Sequence, residues 1–168
     1  MAWILQGNPN RFDIDDYLSR YSFIYWSTPT NQKDFLIGDR AFIWRAKTLA
    51  GIIAVGIIKE LPIPRSDVKM PEALGDDLWV SQFDEPSEIK VGIEITEARL
   101  THEEGMVTRE LLKTNPVLSK NRIITSPNGT VFRINSEEEN ILGWLWGGGV
   151  ASLTTTNLVI QRWKDCPN

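Results

Sequence analysis

The chain is poor in the residues that build catalytic and metal sites. Among its 168 residues there is one cysteine, Cys166, and one histidine, His102. A single cysteine excludes an internal disulfide and any CxxC metal motif. A single histidine with no nucleophile motif beside it is typical of a surface residue and not of a general base. The sequence therefore predicts neither a metal site nor nucleophilic catalysis.

Long apolar runs are also missing. No stretch reaches the roughly 20 apolar residues that a membrane-spanning helix needs. We expect neither a membrane span nor a secretory signal, and therefore a cytoplasmic protein with no membrane partner. The hydrophobic share of 42% and the length are typical of one globular domain with a real core.

Positive charge is scarce and unevenly distributed. The net charge of −4 argues against non-specific binding to nucleic acid. Residues 1–70 nevertheless hold nine Lys/Arg and seven Asp/Glu, a balance of +2, whereas residues 71–168 hold nine and fifteen, a balance of −6. Any surface that faces phosphates should come mainly from the first half, and each candidate has a solvated surface charge as its alternative. The predicted backbone contacts are Arg40, Arg45, Lys47, Arg65 and Lys69.

Tryptophan, by contrast, is abundant, with seven in the chain. Trp26 follows the apolar run 23–25 and precedes Ser27-Thr28-Pro29, where a strand gives way to a loop. A second tryptophan, Trp79, lies beside Pro- and Gly-rich loop sequence. If the fold brings the two together, they can sandwich a flat ring, and stacking contributes roughly 1–3 kcal/mol per base. The alternatives are a core position for Trp26 and a packed loop anchor for Trp79.

The pattern of elements predicts many short strands and few helices. Residues 60–87 carry four prolines and are expected to form a long loop with a short helix near Glu72-Ala73-Leu74. Three helices are predicted. The first begins after Asp13 as N-cap, and the second spans residues 109–113. The third begins after Ser136, with Glu139 in a capping box. Strands are expected at 2–6, 22–27, 40–45, 51–59, 90–100, 121–125 and 131–134. Because this order is not βαβ, we predict an α+β domain, a small bent β-barrel flanked by helices.

Five short segments carry a family resemblance. In chain order they are Trp3–Pro9, Tyr25–Pro29, Gly38–Arg45, Ala50–Gly56 and Ser126–Glu137. Their order and spacing resemble the EVE domain, a member of the PUA-like superfamily and a relative of the YTH domain. We therefore predict an EVE/PUA-like domain over residues 1–146, followed by a C-terminal extension of unknown role over residues 147–168.

The resemblance implies a non-catalytic reader that flips a modified base out of nucleic acid into an aromatic cage. Trp26 and Trp79 would be the cage walls, with Phe83 as a candidate third aromatic. Asn8 would contact the base edge and Ser27 would supply a polar backbone contact. DNA is favoured over RNA, with 5-methylcytosine among the candidate modifications. EVE domains occur fused to or encoded near modification-dependent restriction nucleases, which implies such a nuclease as a partner, and no cofactor.

Several alternatives stay open at the level of the sequence. The same cage would suit a small aromatic metabolite or nucleotide, and an acidic rim would favour that ligand where a basic rim favours nucleic acid. A protein-binding module would use tryptophans near the C-terminus, namely Trp144, Trp146 and Trp163. Asp77 followed by Glu88-Ile89-Lys90 is similar to a nuclease pattern, which arises often by chance. Asn8 has a turn-forming role before a proline as its alternative.

Overall fold

The computed structural model describes residues 1–81 and 89–148. Within these residues the strands are β1 (Ala2–Gly7), β2 (Phe23–Ser27), β3 (Arg40–Arg45), β4 (Gly51–Pro64), β5 (Ile89–Ala98), β6 (Val107–Thr108) and β7 (Val131–Ile134). The helices are α1 (Ile14–Arg20), α2 (Arg109–Lys113), α3 (Arg122–Thr125) and α4 (Ser136–Trp146). The strands form one sheet in the order β2-β5-β4-β3-β1-β7, with β6 paired to β4. The predicted α+β class is confirmed.

Strand β1 lies between two cores. It pairs in parallel with β3 and antiparallel with β7. Trp3 and Leu5 pack on one face with α1, β2 and β5, whereas Ala2 and Ile4 pack on the other face with helices α2, α3 and α4. Because both faces are buried, β1 reads as a continuous apolar run and is recognisable from the sequence.

The sheet bends strongly, as the predicted barrel requires. Register shifts along β4 mark bulges, which increase local twist and bend a strand. At Gly92 in β5 an added Cβ would lie 2.6 Å from Glu60 Cβ and 2.9 Å from the Phe23 ring, so only glycine permits this close approach. The bend brings edge strand β2 back against β1, where Trp26 Nε1 donates to the carbonyl of Gln6 at 3.3 Å.

Residues 60–87 differ from the predicted loop. Strand β4 continues to Pro64, which pairs with Ile89 at the end of the strand, beyond a bulge, where proline is tolerated. Three 3-10 turns follow at Arg65–Asp67, Pro71–Ala73 and Asp76–Leu78. Residues 82–88 lie outside the described residues. The short helix expected near residues 72–74 corresponds to the 3-10 turn Pro71–Ala73, and the segment up to Leu78 holds more regular structure than the predicted loop.

Two helix starts also correct the sequence-based expectation. Residues 122–125 are helical and not a strand, because Asn121 Oδ1 accepts from Ile123 N at 2.9 Å and caps the helix. Helix α4 is capped by Asn135 and not by Ser136, with Glu138 completing the capping box. In both cases the asparagine directly before the observed helix is its N-cap and sets the local structure.

The C-terminal part of the chain is described only as far as residue 148. The predicted extension therefore lies almost entirely outside the described residues, as does Trp163. Trp144 is half-buried and Trp146 is buried against the core formed with α2, α3 and α4. None of the helices in the described ranges is both long and apolar enough to cross a membrane.

Candidate functional site

A cavity of about 360 Å³ lies where β1 and β2 end and β5 begins. This volume falls within the ~300–1,000 Å³ typical of small-molecule sites. Its apolar walls come from Phe12, Tyr25, Trp26, Leu74 and Trp79. Polar groups at its edges come from Gln6, Asn8, Arg11, Ser27, Lys90 and Thr130. Aromatic walls with polar groups at the edge suit a flat ring that carries hydrogen-bonding atoms. We call this cavity the aromatic pocket.

Trp26 is held rigidly in the wall of the aromatic pocket. Its side chain is 7% exposed, and it belongs both to the core and to the pocket lining. At Gly7 an added Cβ would lie 2.8 Å from the Trp26 ring and 2.5 Å from Ile14 Cδ1. Glycine thus allows β1 and α1 to close on the indole. Together with the bond to the Gln6 carbonyl, this contact fixes the plane of the ring.

Trp79 lines the same pocket from a separate segment. Its ring meets Phe12 with centroids 4.9 Å apart, and the two residues form an isolated β-bridge. The flanking backbone is tied down, since Asp13 N donates to Leu78 O and Val80 N donates to Arg11 O, each at 2.9 Å. The structure therefore brings the two predicted tryptophans to one cavity. Their stacking on a base stays a prediction.

The two predicted polar contacts, Asn8 and Ser27, also line the pocket. Asn8 Oδ1 accepts from Asn10 N at 3.0 Å, so this residue forms the turn after β1 as well as reaching the pocket. Its amide nitrogen remains a donor for a ligand edge. Ser27 Oγ accepts from Lys90 Nζ at 2.8 Å. The fifth predicted residue, Phe83, lies outside the described residues.

Lys90 is a pocket residue that sequence reasoning assigned elsewhere. It lies opposite Ser27 in the β2–β5 ladder and is 4% exposed. Its Nζ lies 5.8 Å from the Trp79 ring centroid, within the range of a cation–π contact. Of the nuclease pattern in which the sequence placed it, Asp77 forms an ion pair with Arg20 at 3.1 Å, and Glu88 lies outside the described residues, so the pattern is not tested. Only the strand register, which the sequence does not reveal, shows that Lys90 meets Ser27.

The Tyr25 side chain, which forms one wall of the pocket, is held in place by hydrogen bonds to its hydroxyl. Its hydroxyl donates to Glu60 Oε2 at 2.6 Å and accepts from Met70 N at 3.0 Å. Lys69 N donates to the other oxygen of Glu60 at 3.1 Å. Burial, followed by the hydrogen bond to Glu60, raises the pKa of Tyr25 to about 12. The hydroxyl therefore stays protonated at neutral pH, and segment 68–74 is locked against the pocket.

A second cavity of about 440 Å³ adjoins the aromatic pocket. The two share the lining residues Gln6, Asn8, Arg11 and Thr130. Lys47, in the β3–β4 turn, and Arg109, at the start of α2, line its further part. No Asp or Glu occurs among the described residues that line it. We call this cavity the basic groove, and its contribution from Arg11 and Arg109 was not expected from the sequence.

No family model and no curated protein matches the sequence. Solved structures do match. A hypothetical protein from Leishmania major has a TM-score of 0.62 and 16% identity, over 88% of this chain and 94% of that one. Human THYN1 in complex with 5-methylcytosine-containing DNA has a TM-score of 0.60 and 15% identity, over 86% and 96%. The DUF55 domain of human thymocyte nuclear protein 1 has a TM-score of 0.60 and 16% identity, over 87% and 98%.

The fold is PUA-like. The THYN1 and DUF55 neighbours share this architecture, which confirms the predicted fold class. At such low identity the likeness shows the fold alone. No family model confirms the narrower resemblance to the EVE domain, which stays a prediction.

The PUA-like fold places the five predicted phosphate contacts in different environments. Lys47 lines the basic groove. Arg45 does not face solvent, and its prediction as a phosphate contact is corrected by its burial. It is 3% exposed, and its guanidinium bonds Asp15 Oδ1 and the Leu100 carbonyl, each at 2.8 Å. Arg45 is thus a core residue of the PUA-like domain.

The other three lie away from both cavities. Arg40 stands at the opposite end of β3, with its guanidinium 5.0 Å from the centroid of the Phe42 ring. Arg65 forms an ion pair with Asp76. Lys69 is exposed, and neither cavity includes it or the two arginines in its lining. We therefore leave Arg40, Arg65 and Lys69 out of the proposed interface.

Catalytic candidates outside the pocket are sparse in this PUA-like domain. His102 is exposed, as expected of a surface residue, in a turn closed by the bond from Gly105 N to His102 O at 3.0 Å. Across residues 1–81 and 89–148 no group of three or more His, Cys, Asp or Glu side chains is arranged to hold a metal ion. The aromatic pocket and the basic groove are therefore the features on which a function can be argued.

Proposed function

We propose that this chain is a non-catalytic reader that binds a modified nucleobase, flipped out of DNA into the aromatic pocket. The observation that carries the proposal is the convergence of Trp26 and Trp79 on one cavity with polar groups at its edge. The related fold of human THYN1, solved in complex with 5-methylcytosine-containing DNA, supports the same class of ligand. The family resemblance adds a further proposed element, an associated or fused restriction nuclease.

The pocket offers a flipped base both aromatic stacking and polar contacts at its edge. Stacking on aromatic rings contributes roughly 1–3 kcal/mol per base, while leaving the duplex stack costs a few kcal/mol. Polar contacts at the base edge therefore decide whether binding is net favourable. Asn8 offers an amide donor and Lys90 an ammonium, both suited to the carbonyl and ring-nitrogen acceptors of a pyrimidine.

Selectivity for a modified base would come from the apolar part of the lining. A methyl group placed against Phe12 or Leu74 would leave water on binding. Burial of one such carbon is worth about 0.8 kcal/mol, which is roughly a fourfold preference for the methylated base. A larger preference requires an additional polar contact to the modification.

The charge around the pocket favours nucleic acid over a free metabolite. The adjoining groove contains Arg11, Lys47 and Arg109, with no carboxylate among its described lining residues. A chain with a net charge of −4 has few places where a phosphodiester is attracted, and this is one of them. An aromatic metabolite without phosphates would make no use of these cations.

A binding role is also the better account of the Ser27–Lys90 contact. Serine–lysine pairs act as nucleophile and base in some enzymes. Here Lys90 Nζ lies 2.8 Å from Ser27 Oγ and also 5.8 Å from the centroid of the Trp79 ring, so the lysine is part of the aromatic wall that would hold a base. We therefore assign Lys90 to ligand binding and not to catalysis.

Titration against matched oligonucleotides tests the proposal. Single- and double-stranded DNA and RNA of one sequence would carry cytosine, 5-methylcytosine, 5-hydroxymethylcytosine, adenine or N6-methyladenine at one central position. Fluorescence anisotropy gives the dissociation constant for each. The proposal predicts tighter binding to at least one modified oligonucleotide than to its unmodified counterpart. Equal affinity for all of them would contradict it.

A further inference from the structure

We propose that the basic groove binds the phosphodiester backbone beside the flipped nucleotide, with Arg109 and Lys47 as the phosphate contacts. The ligand is then a nucleic acid strand and not a free base or nucleoside. This inference rests on the proposed function of the aromatic pocket. It adds a second site, with its own residues and its own experimental signature.

The groove is continuous with the pocket. Four residues line both cavities, namely Gln6, Asn8, Arg11 and Thr130. A nucleotide whose base occupies the pocket must leave its sugar and phosphates near this shared rim. The groove therefore lies where the flanking backbone has to pass.

The side chain of Arg109 is suited to bind a phosphate group in the groove. Its Nε is buried and has no hydrogen-bond partner among residues 1–81 and 89–148. Such buried donors are normally satisfied, so each exception calls for a partner such as an ion or a water molecule. A phosphate in the groove accepts hydrogen bonds from the planar guanidinium, whose charge meets no carboxylate among the described lining residues. Arg109 is placed by its backbone N–H, which donates to the Ala50 carbonyl at 2.9 Å.

Lys47 is held in the groove by an unusual turn. Its φ is +68°, and Leu49 two residues later has φ +51°, a region that L-residues other than glycine rarely adopt. The buried Arg45 holds this turn, with Nε at 3.2 Å and Nη2 at 3.1 Å from the Leu49 carbonyl. Non-glycine residues in this region persist where the surroundings enforce them, often at functional sites. Arg45 is thus the positioning residue for Lys47.

The test uses two groove variants and one control in the full chain. Arg109→Gln and Lys47→Gln each remove one groove cation. Lys59→Gln makes the same charge change on exposed β4 surface, where Lys59 pairs with Glu94 at 3.8 Å. Binding of single-stranded 5-methylcytosine and cytosine oligonucleotides is measured across a salt series, together with the free nucleoside 5-methyldeoxycytidine. Thermal melts confirm that each variant is folded.

We expect Arg109→Gln to weaken binding of both oligonucleotides by the same factor, about tenfold at low salt, because it removes a charged hydrogen bond. The slope of log affinity against log salt should become shallower by about 0.7 for a single strand. Lys47→Gln should act in the same direction. Nucleoside binding and the Lys59→Gln control should stay at the wild-type value.

The outcomes separate this inference from the proposed function. If the groove variants keep the wild-type affinity and slope while the wild type still prefers 5-methylcytosine, the groove assignment is wrong and the reader stands. If the groove variants lose slope but the wild type binds every modified oligonucleotide of the titration series no tighter than its unmodified counterpart, the reader is wrong and the groove stands. If no oligonucleotide binds at low salt, both are overturned. Should Arg109→Gln unfold, Lys47→Gln decides alone, because that side chain is exposed.

Discussion

The indole Nε1 of Trp26 donates to the carbonyl of Gln6, and this bond joins an edge strand to a strand near the opposite side of the sheet. The pocket wall is therefore part of the closure of the barrel. Changes that move β1 relative to β2 should alter binding and stability together, whereas changes on the outer side of the pocket should alter binding alone.

The first prediction concerns Gly7, where an added Cβ would lie 2.5 Å from Ile14 Cδ1 and 2.8 Å from the Trp26 ring. Gly7→Ala should displace the indole into the pocket, weaken oligonucleotide binding and destabilise the domain by about 1–3 kcal/mol. Denaturant unfolding and anisotropy titration measure the two effects.

The matched control is Gly147→Ala, since the nearest atom to its added Cβ is 3.4 Å away and its φ is −71°. Its stability should change by no more than about 0.5 kcal/mol. Gly7→Ala with wild-type affinity and stability would show that the Trp26 wall does not depend on this contact.

The second prediction separates the two tryptophans. Trp79→Leu should leave the fold intact and weaken binding of the preferred modified oligonucleotide by the stacking contribution of roughly 1–3 kcal/mol. Trp26→Ala should in addition destabilise the domain by about 3–5 kcal/mol, because Trp26 is also a core residue. Trp144→Leu, which lies outside both cavities on α4, is the control and should bind as the wild type does. Unchanged binding in Trp79→Leu would remove Trp79 from the cage.

The third prediction concerns Lys90. Lys90→Met keeps the side-chain length and removes the charge, so binding should weaken by about 1.5–3 kcal/mol if the ammonium bonds the base edge. Because the residue is 4% exposed, the folded state should tolerate an apolar replacement. Ser27→Ala is the companion variant and should have a smaller effect.

The same variant tests the absence of catalysis. Wild-type protein incubated with methylated and unmethylated plasmid in magnesium or manganese should produce no cleavage. Cleavage that disappears in Lys90→Met would overturn the reader assignment and favour a nuclease.

The fourth prediction is a loss of stability at alkaline pH. Burial raises the pKa of Tyr25 to about 12 and raises that of Tyr17 well above its usual value. An unfolded tyrosine ionises near pH 10. The stabilisation is therefore complete below about pH 10 and is lost as pH rises through about 12. Denaturant midpoints measured from pH 8 to 12 should fall steeply above pH 10.

Tyr25→Phe isolates one of these groups. It should destabilise the domain at neutral pH by about 0.5–1.5 kcal/mol through the lost bond to Glu60. Its alkaline decline should be shallower than that of the wild type. Parallel pH profiles in the two proteins would show that Tyr25 is not a source of the effect.

Local patterns predicted much of the fold. Strand β1 was recognisable because both faces are buried, and α1 because Asp13 accepts from Asp16 N at 3.1 Å as an N-cap. The helix at 122–125 was not, because its apolar Ile123 and Ile124 also suit a strand and only the cap at Asn121 distinguishes them. Short apolar runs carry too little periodicity to separate the two structures.

Site residues could be predicted where their own local sequence is distinctive. They could not be predicted where their role depends on contacts between distant segments. Trp26, near the end of β2, and Trp79, directly after the last 3-10 turn, were each distinctive in their local sequence, and both line the pocket. The roles of two arginines depend on tertiary structure that the sequence does not reveal. Arg45 is buried because it bonds Asp15 and the Leu100 carbonyl. Arg109 is a candidate phosphate contact because its Nε has no partner among the described residues. The count of charged residues predicted that the basic surface would come mainly from residues 1–70, because residues 71–168 are acidic overall. Arg109 lies in that acidic part and was therefore missed.

The most direct test of the central claim is the ratio of dissociation constants for two single-stranded DNAs that differ only by one modification, beginning with 5-methylcytosine against cytosine. The reader account predicts a preference of about fourfold or more for at least one modified base, which Trp79→Leu should reduce. Equal affinities across all modifications would contradict the account. So would binding of the free nucleoside as tight as that of the oligonucleotide, with no dependence on salt.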